Sequence, residues 1–550
     1  MHRFKIRTVL ILIAFFGSAI SYADTAGDFK KTESGLYKDV FDQEVYYQGT
    51  QYLHLERLYR GLFNKEKHAL DVNAFDEVPD SNFFINRHGK TRMSIEELKR
   101  GPLTAGASYP ESSDSWTITK GKFGGITPGF FVHNEKGDKY LLKFDPLDYP
   151  ELATGAEVIA SHFMHAFGYS VPSYSIVNLK KNQLALQPGA QAYDETGFRK
   201  ELTPERLESF LIFIPETDEG TYRASASRII SGKILGPMKL QGRRSDDPED
   251  KLNHEDRREI RALNVFASWL NNIDVRESNT LDVVEETDGR PLIRHYFIDF
   301  NSSFGATPRG AKPPQFGHEH MVDYKEIFKA ILGLGFWKRS WEKRWEESGP
   351  ESPSSFGYFD NRYFKPELFK AQLPYFHSKD LTRADGFWAA KVLMRFTNEE
   401  IEAVVATGNF SDKAIEKKLT KTLIERRDII GRYWFERANP LDGFKLVQAG
   451  GAYELHFEDL AVRYGFERSG ESVYHVKVIG KTEKKGITLA EEEIQGNIFK
   501  INPEWFVDFP SLDLLIRTQR PGDASWSPRV RVEVRSEGGS ARLVGILHED

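Results

Sequence analysis

The chain has 550 residues, 40% of them hydrophobic and 28% charged, with a formal net charge of −6. At roughly 150 residues per domain there is room for two to four domains with sizeable cores. The acidic balance excludes a global electrostatic pull toward nucleic acid or an anionic membrane. The absence of cysteine excludes disulfides, thiol catalysis, thiolate metal sites and lipid attachment at a cysteine.

Arg3, Lys5 and Arg7 precede an apolar run from Val9 to Ile20, followed by Ser21-Tyr22-Ala23. A basic start, an apolar stretch too short to span comfortably and small residues before a cut after Ala23 describe a signal peptide over residues 1–23. The expected address is the bacterial periplasm, with the outside of the cell second. Residues 24–114 read as a polar N-terminal extension. It holds a helix near 50–63, an acidic-Pro turn at Asp76-Glu77-Val78-Pro79-Asp80 and a short capped helix at Ser94-Ile95-Glu96-Glu97-Leu98. It carries no sign of chemistry.

From Trp116 the pattern becomes β. Strands are expected at Trp116–Thr119, Gly129–Val132 and Lys139–Phe144, the first pair joined by the glycine-rich turn Lys120-Gly121-Lys122-Phe123-Gly124-Gly125. Such a turn can bring backbone N–H groups to a phosphate, although most are only turns. Lys143 stands inside an apolar strand. It either points to a solvated edge or grips the α- and β-phosphates of a nucleotide, and in the second case it needs an acid to hold it. The helix from about Glu151 to Phe167 offers one. Its apolar stripe is Leu152, Ala156, Ile159, Phe163 and Phe167, and Glu157 lies at the edge of that stripe, able to lean back toward Lys143. Glu151, in the first turn, would serve the helix dipole instead. His162 and His165 on the same helix read as packing or surface residues.

Further on, Tyr174–Leu179 reads as a strand and Leu207–Ile214 as a strand reaching a hinge. The run from Arg243 to Asp250 reads as a solvated charged loop. A helix over His254–Leu270 runs directly into Asn272-Ile273-Asp274-Val275-Arg276-Glu277-Ser278-Asn279. Two short strands, near 281–284 and 295–298, then deliver Asp299-Phe300. An Asp, four residues and an Asn is a common accident in a chain of this size. The ordered set is much rarer: glycine-rich hairpin, strand Lys, helix Glu, a helix leading into Asp-x4-Asn, and an apolar run ending in Asp-Phe.

That ordered set resembles the atypical branch of protein-kinase-like folds, most of all the HipA-type bacterial kinases and more distantly the phosphatidylinositol kinases. The run Glu157…Gly168…Val171-Pro172 has the HipA spacing, and those families also use Asp-x4-Asn. The resemblance implies that Asp274 is the catalytic base and that Asn279 and Asp299 bind Mg²⁺ or Mn²⁺. It further implies that Lys143 holds the phosphates of ATP, that Glu157 holds Lys143, and that Lys120, Gly121, Gly124 and Gly125 belong to a phosphate-covering loop. Two departures stand out: the loop is not a clean Gly-x-Gly-x-x-Gly, and Asn301 replaces the Gly of Asp-Phe-Gly. The chain also resembles a group of exported bacterial proteins that share this core.

The expected fold class is therefore α+β: a two-lobed protein-kinase-like fold over 115–438, followed by a small antiparallel β-sandwich over 439–550. The small lobe would cover about 115–215 and the large lobe about 216–438. Past Asn439-Pro440-Leu441-Asp442-Gly443 the apolar period falls to two, as in Tyr453–Phe457, Tyr474–Val478 and Arg529–Arg535. Trp337, Trp341 and Trp345 recur every four residues among Lys338, Arg339, Lys343 and Arg344. This suits a helix packed on the large lobe, with peripheral membrane contact as the alternative. His318-Glu319-His320 invites a metal reading, but its histidines would alternate across a strand. Two functions compete. One is an exported ATP- and Mg²⁺-dependent phosphotransferase acting on a protein or cell-envelope substrate, with AMP transfer using the same ligands. The other is an inactive pseudokinase that serves as a binding or scaffold module. No nucleic-acid partner is expected.

Overall fold

The computed structural model describes residues 66–549 apart from 105, 123–126, 194–197, 288, 340, 344–356, 376–378 and 483–484. Before residue 66 it describes only 41, 45–46 and 55–63. The expected signal peptide, Gly124, Gly125 and Trp345 lie outside the described residues. The architecture is α+β, a sheet-and-helix lobe and a helical lobe followed by further antiparallel sheets.

Among the described residues the N-terminal extension contributes two helices, α1 (Leu55–Leu62) and α2 (Ile95–Arg100). Ser94 and Glu97 close a capping box on α2. Between them the chain straps across the protein. Phe83 and Phe84 are buried in the main core. The Ile85 N–H reaches the Gly168 carbonyl at 2.9 Å, and Arg87 Nη1 donates to the carbonyls of His165 and Tyr169.

The sheet-and-helix lobe is built on β1 (Trp116–Gly121), β2 (Gly129–Asn134), β3 (Lys139–Phe144), β4 (Tyr174–Leu179), β5 (Leu184–Leu186) and β8 (Tyr222–Arg228), in the order β4-β8-β3-β2-β1-β5. Only β1–β5 pair in parallel. The short hairpin β6 (Gln191–Tyr193) and β7 (Arg199–Glu201) flanks it. Alternation along β3 decides the two faces. Tyr140, Leu142 and Phe144 join Trp116, Phe130 and Val177 in one core, while Lys143 points to the other face. Helix α3 (Leu152–Phe167) lies on that second face and is buried almost throughout. Its N-terminus is capped from a distance by Asp145, which accepts from the N–H groups of Ala153 and Thr154 at 2.8 and 2.9 Å.

The expected strand over Leu207–Ile214 is instead the helix α4 (Pro204–Leu211). Thr203 caps it and Pro204 opens it. Leu207 and Leu211, one turn apart, seal the first core. The strand leading out of this lobe is β8, whose Ala224-Ser225-Ala226-Ser227 run has little intrinsic β-propensity. It forms because β3 and β4 flank it on both sides.

After β9 (Lys233–Gly236), the run Arg243–Asp250 is a solvated loop only in part: Arg243, Ser245, Pro248 and Glu249 are exposed. Arg244, Asp247 and Asp250 are buried. Arg244 reaches Asp282 at 2.9 Å and His254 reaches Asp250 at 2.8 Å. The helical lobe follows: α5 (Arg258–Leu270), the hairpin β10 (Thr280–Thr287) and β11 (Arg290–Phe297), the two-residue strands β12 (Ala306–Thr307) and β13 (Gly310–Ala311), α6 (Tyr324–Leu332), α7 (Arg383–Met394), α8 (Asn398–Val405) and α9 (Lys413–Arg437). Phe163, Phe167, Phe266, Trp269 and Phe396 pack edge-on and stacked where α3 meets this lobe. Of the tryptophan stripe expected to pack on this lobe, two members are described. Trp337 is exposed and Trp341 only half-buried.

The C-terminal region forms two antiparallel sheets. One consists of β14 (Leu441–Ala449), β15 (Ala452–Asp459) and β18 (Ile498–Ile501). The other runs β17 (Gly486–Ile494), β16 (Val473–Lys481), β19 (Ser511–Gln519), β20 (Val530–Glu537) and β21 (Ser540–His548). Leu455, Phe499 and Ile501 of the first share a core with Val476, Leu514 and Val532 of the second, as a sandwich requires.

Candidate functional site

The site starts from one lysine. Lys143 Nζ donates to Glu157 Oε1 at 2.5 Å and to Asp299 Oδ1 at 2.9 Å. Ser225, beside it on β8, donates its hydroxyl to Glu157 Oε2 at 2.6 Å. The side chains of Lys143 and Glu157 are 5% and 1% exposed, whereas that of Asp299 is 25% exposed. Burial alone would depress the Lys143 pKa, but Asp299 and Glu157 push it above its ordinary value, so the ammonium stays charged. Burial pushes Glu157 upward against the pull of Lys143. Asp299 is also opposed by burial, yet Lys143 and Lys122 hold its carboxyl below the usual range. Asp299 has φ 63°, a left-handed backbone that a short polar side chain tolerates. This turn aims the carboxylate at the β3 lysine.

Helix α5 delivers the second element. It ends at Asn271, itself left-handed with φ 49°, and the chain turns to Asp274. Asn272 Oδ1 accepts the Asp274 N–H at 3.1 Å, and Asn279 Nδ2 donates to the Asp274 carbonyl at 2.7 Å. That second bond fixes the Asn279 amide and leaves its Oδ1 as the atom able to ligate a cation. Arg276 Nε lies 3.1 Å from Asp274 Oδ1. Burial raises the Asp274 pKa, Arg276 opposes the rise, and the charge of Asp299 adds to it.

The two loops are stitched together. The Ile298 N–H bonds the Asn279 carbonyl at 2.9 Å, and the Ile273 N–H bonds the Ser302 carbonyl at 3.3 Å. Lys312 Nζ donates to the carbonyls of Asn271 and Ser302 at 2.5 and 2.8 Å. The protein therefore brings together Lys143, Glu157, Asp274, Asn279 and Asp299. It does not bring Lys120 to them. A bulge between Ile118 and Lys120 turns that side chain outward over the Phe131 ring at 4.5 Å. Gly121 packs against the β6 hairpin, where an added Cβ would lie 2.7 Å from that of Ala192.

Sequence reading missed two members of the site. Lys122 is depressed by burial and by the charge of Lys143, and is drawn up by Asp299 and Glu157. Its ammonium donates to the Thr127 carbonyl at 3.3 Å. Asn301 donates to Thr127 Oγ1 at 2.9 Å, tying the Asp299 loop to the turn after β1. The exchange of Gly for Asn at that position was the visible signal for Asn301. Lys122 lay within the glycine-rich turn already singled out, but the bulge breaks the alternation that would have pointed to its side chain.

Among the described residues, no three His, Cys, Asp or Glu side chains gather as a metal cluster, and His320 bonds the Ala371 carbonyl at 2.7 Å. An Asp carboxylate and an Asn carbonyl oxygen fit Mg²⁺, which takes few protein oxygens and completes its shell with water and phosphate. Two cavities of about 970 Å³ lie elsewhere. One sits between α8, α9 and Arg463–Phe466, the other between Val171–Ser173 and Arg228–Gly232. Neither is lined by a residue of the cluster.

No family model and no curated protein matches the chain. Among solved structures it is similar to the proinflammatory kinase CtkA of Helicobacter pylori, with a TM-score of 0.32 and 13% identity over 59% of this chain and 96% of that one. A likeness of that degree leaves the function to be argued from the site.

Proposed function

We propose that the chain is an exported, ATP- and Mg²⁺-dependent phosphotransferase acting on a protein or cell-envelope hydroxyl, in the periplasm. The observation that carries this reading is the ion bridge Glu157–Lys143–Asp299 across the two lobes. It couples a strand lysine to a carboxylate placed beside a second, raised carboxyl. Phosphoryl transfer asks a protein mainly for positioning and charge neutralisation. Lys143 is held charged to receive phosphate oxygens, and Glu157 fixes its aim. Lys122 supplies a second cation from the turn above. Asn279 and Asp299 would hold Mg²⁺, which neutralises phosphate charge when bound. Asp274 orients the attacking hydroxyl and takes its proton as the oxygen–phosphorus bond forms and the bond to the departing ADP breaks. Its raised pKa suits a group that must accept a proton near neutrality.

A second reading, a scaffold that retains the fold without turnover, is favoured by one feature. The charges of the cluster are paired with one another, and the large cavities lie away from them.

Thermal stabilisation by ATP with Mg²⁺ separates the two. A ligand at a hundred times its Kd adds about 2.7 kcal/mol to the folded state. The phosphotransferase reading expects a metal-dependent rise in Tm that Asp299→Ala abolishes. Folded protein that shows no rise with any nucleotide would fit only the scaffold.

A further inference from the structure

Helix α6 is amphipathic, but it is mounted inside out. Tyr324, Ile327, Phe328, Ile331 and Leu332 fall at i, i+3, i+4, i+7 and i+8, the spacing of a face that normally enters a core. None of them is buried. Phe328 is 61% exposed and Ile331 66%. The chain beyond extends the same surface with Leu334 and Phe336, the latter 88% exposed. The helix is fastened to the rest of the protein at its cap. Asp323 caps the helix and pairs with Lys370 at 2.5 Å. Glu326 pairs with Lys329 at 2.9 Å and accepts the Trp337 indole N–H at 2.9 Å. Seven large apolar side chains in thirteen residues make a continuous patch of the kind that marks an interaction surface.

Charge selects the occupant. The stretch 321–343 carries five basic and three acidic side chains in a chain that is acidic as a whole. The three acids are each paired within the protein, Asp323 to Lys370, Glu326 to Lys329 and Glu342 to Arg339. Lys325 and Lys343 have no carboxylate partner among the described residues, and both are exposed. An outward apolar face in a stretch that also exposes unpaired lysines fits the surface of an anionic bilayer: the face enters the acyl boundary and the lysines meet lipid phosphates. Nine helical residues span only about 14 Å, too little to cross a core of about 30 Å, so the helix lies along the surface. Trp337 and Trp341 spend their indole N–H groups on Glu326 and Glu319, which leaves the aliphatic and phenyl side chains to supply the free apolar face.

We infer that α6 and the turn after it form a docking face for an anionic lipid surface, which holds whether or not the site transfers phosphate. The test is flotation of the full chain with vesicles of phosphatidylcholine alone and with one-third phosphatidylglycerol. Binding should be at least tenfold stronger to the anionic vesicles and should fall as salt rises. It should drop tenfold or more in Phe328→Ser/Ile331→Ser and several-fold in Lys325→Glu, with circular dichroism and Tm unchanged. Binding that survives the double variant would assign it to another segment, such as the apolar run Val9–Ile20, and overturn the inference. So would concentration-dependent dimerisation abolished by the same variant, which would make the occupant a second copy. Absence of binding by folded protein would overturn it as well.

Discussion

Two buried ion clusters in this protein differ in what they leave open. In the helical lobe, Arg258 is held between Asp76 at 2.7 Å and Asp385 at 3.0 Å. Arg261 adds bonds to Asp385 and Asp256, both at 3.3 Å, and His548 reaches Asp76 at 2.9 Å. No side chain among Asp76, Arg258, Arg261 and Asp385 is more than 3% exposed. This network ties the N-terminal strap, α5, α7 and the last strand of the sandwich into one unit. The cluster around Lys143 is as well paired at its centre, but its rim is not sealed: Asp299 is 25% exposed and Asp274 13%. A sealed network spends its charges on holding segments together. An open one keeps charged groups where a ligand can reach them, and strongly shifted groups in such places mark candidate sites.

The comparison is broken most directly at Arg258. Replacing it by Met leaves Asp76 and Asp385 buried with fewer counter-charges, and breaking such a network costs about 3–5 kcal/mol. Urea unfolding should show a loss of that size, with no change in nucleotide response per folded molecule. Lys143→Met is the matching experiment at the open cluster. Glu157 can take up a proton and Asp299 can turn to water, so the expected loss is smaller, about the 1–3 kcal/mol of a buried polar group left without its partner. The nucleotide-dependent rise in Tm should vanish. Equal stability losses, or a preserved nucleotide response, would erase the distinction drawn between the two clusters.

A third test is a difference in sign with pH. On α3 and β11, His162, His165 and His295 are kept neutral by burial, His165 down to about 2. Their folded pKa values lie below the unfolded value of about 6.5. The stability they contribute is therefore complete above that pH and is lost as pH falls. Between pH 7 and 5 each such histidine removes up to about 1.4 kcal/mol per pH unit. At the open cluster Asp274 is raised, so its ionisation opposes folding and acidification relieves it. Asp274→Asn should thus raise Tm at pH 7 and lose that advantage toward pH 4. Urea midpoints across pH 4–8 for both chains check the two slopes together.

Much of the site was legible because its residues sit on regular elements. Lys143 lies in an apolar strand, Glu157 at the edge of a helical stripe, and Asp274 and Asn279 just past a helix end. Strand alternation and helical period fix where such side chains point. Leu207–Ile214 was misread because a short apolar run suits a strand as well as a helix. Thr203-Pro204 was the cap that decided it. Strand β8 escaped notice since Ala and Ser carry no strand signal of their own.

The sequence by itself determined the local geometry: the strands, the capped helices, the period of two in the last hundred residues and the order of the charged residues along the chain. Only the tertiary structure decided which of those charges meet. Lys143 and Asp299 are 156 residues apart, and Asp76 and His548 are 472 apart. Such pairs are chosen by packing of whole elements, which no local period records. The same packing buried Arg244 and Asp250 in what read as a solvated loop, and left the apolar face of α6 outward on a helix fastened at its cap, through Asp323, to Lys370.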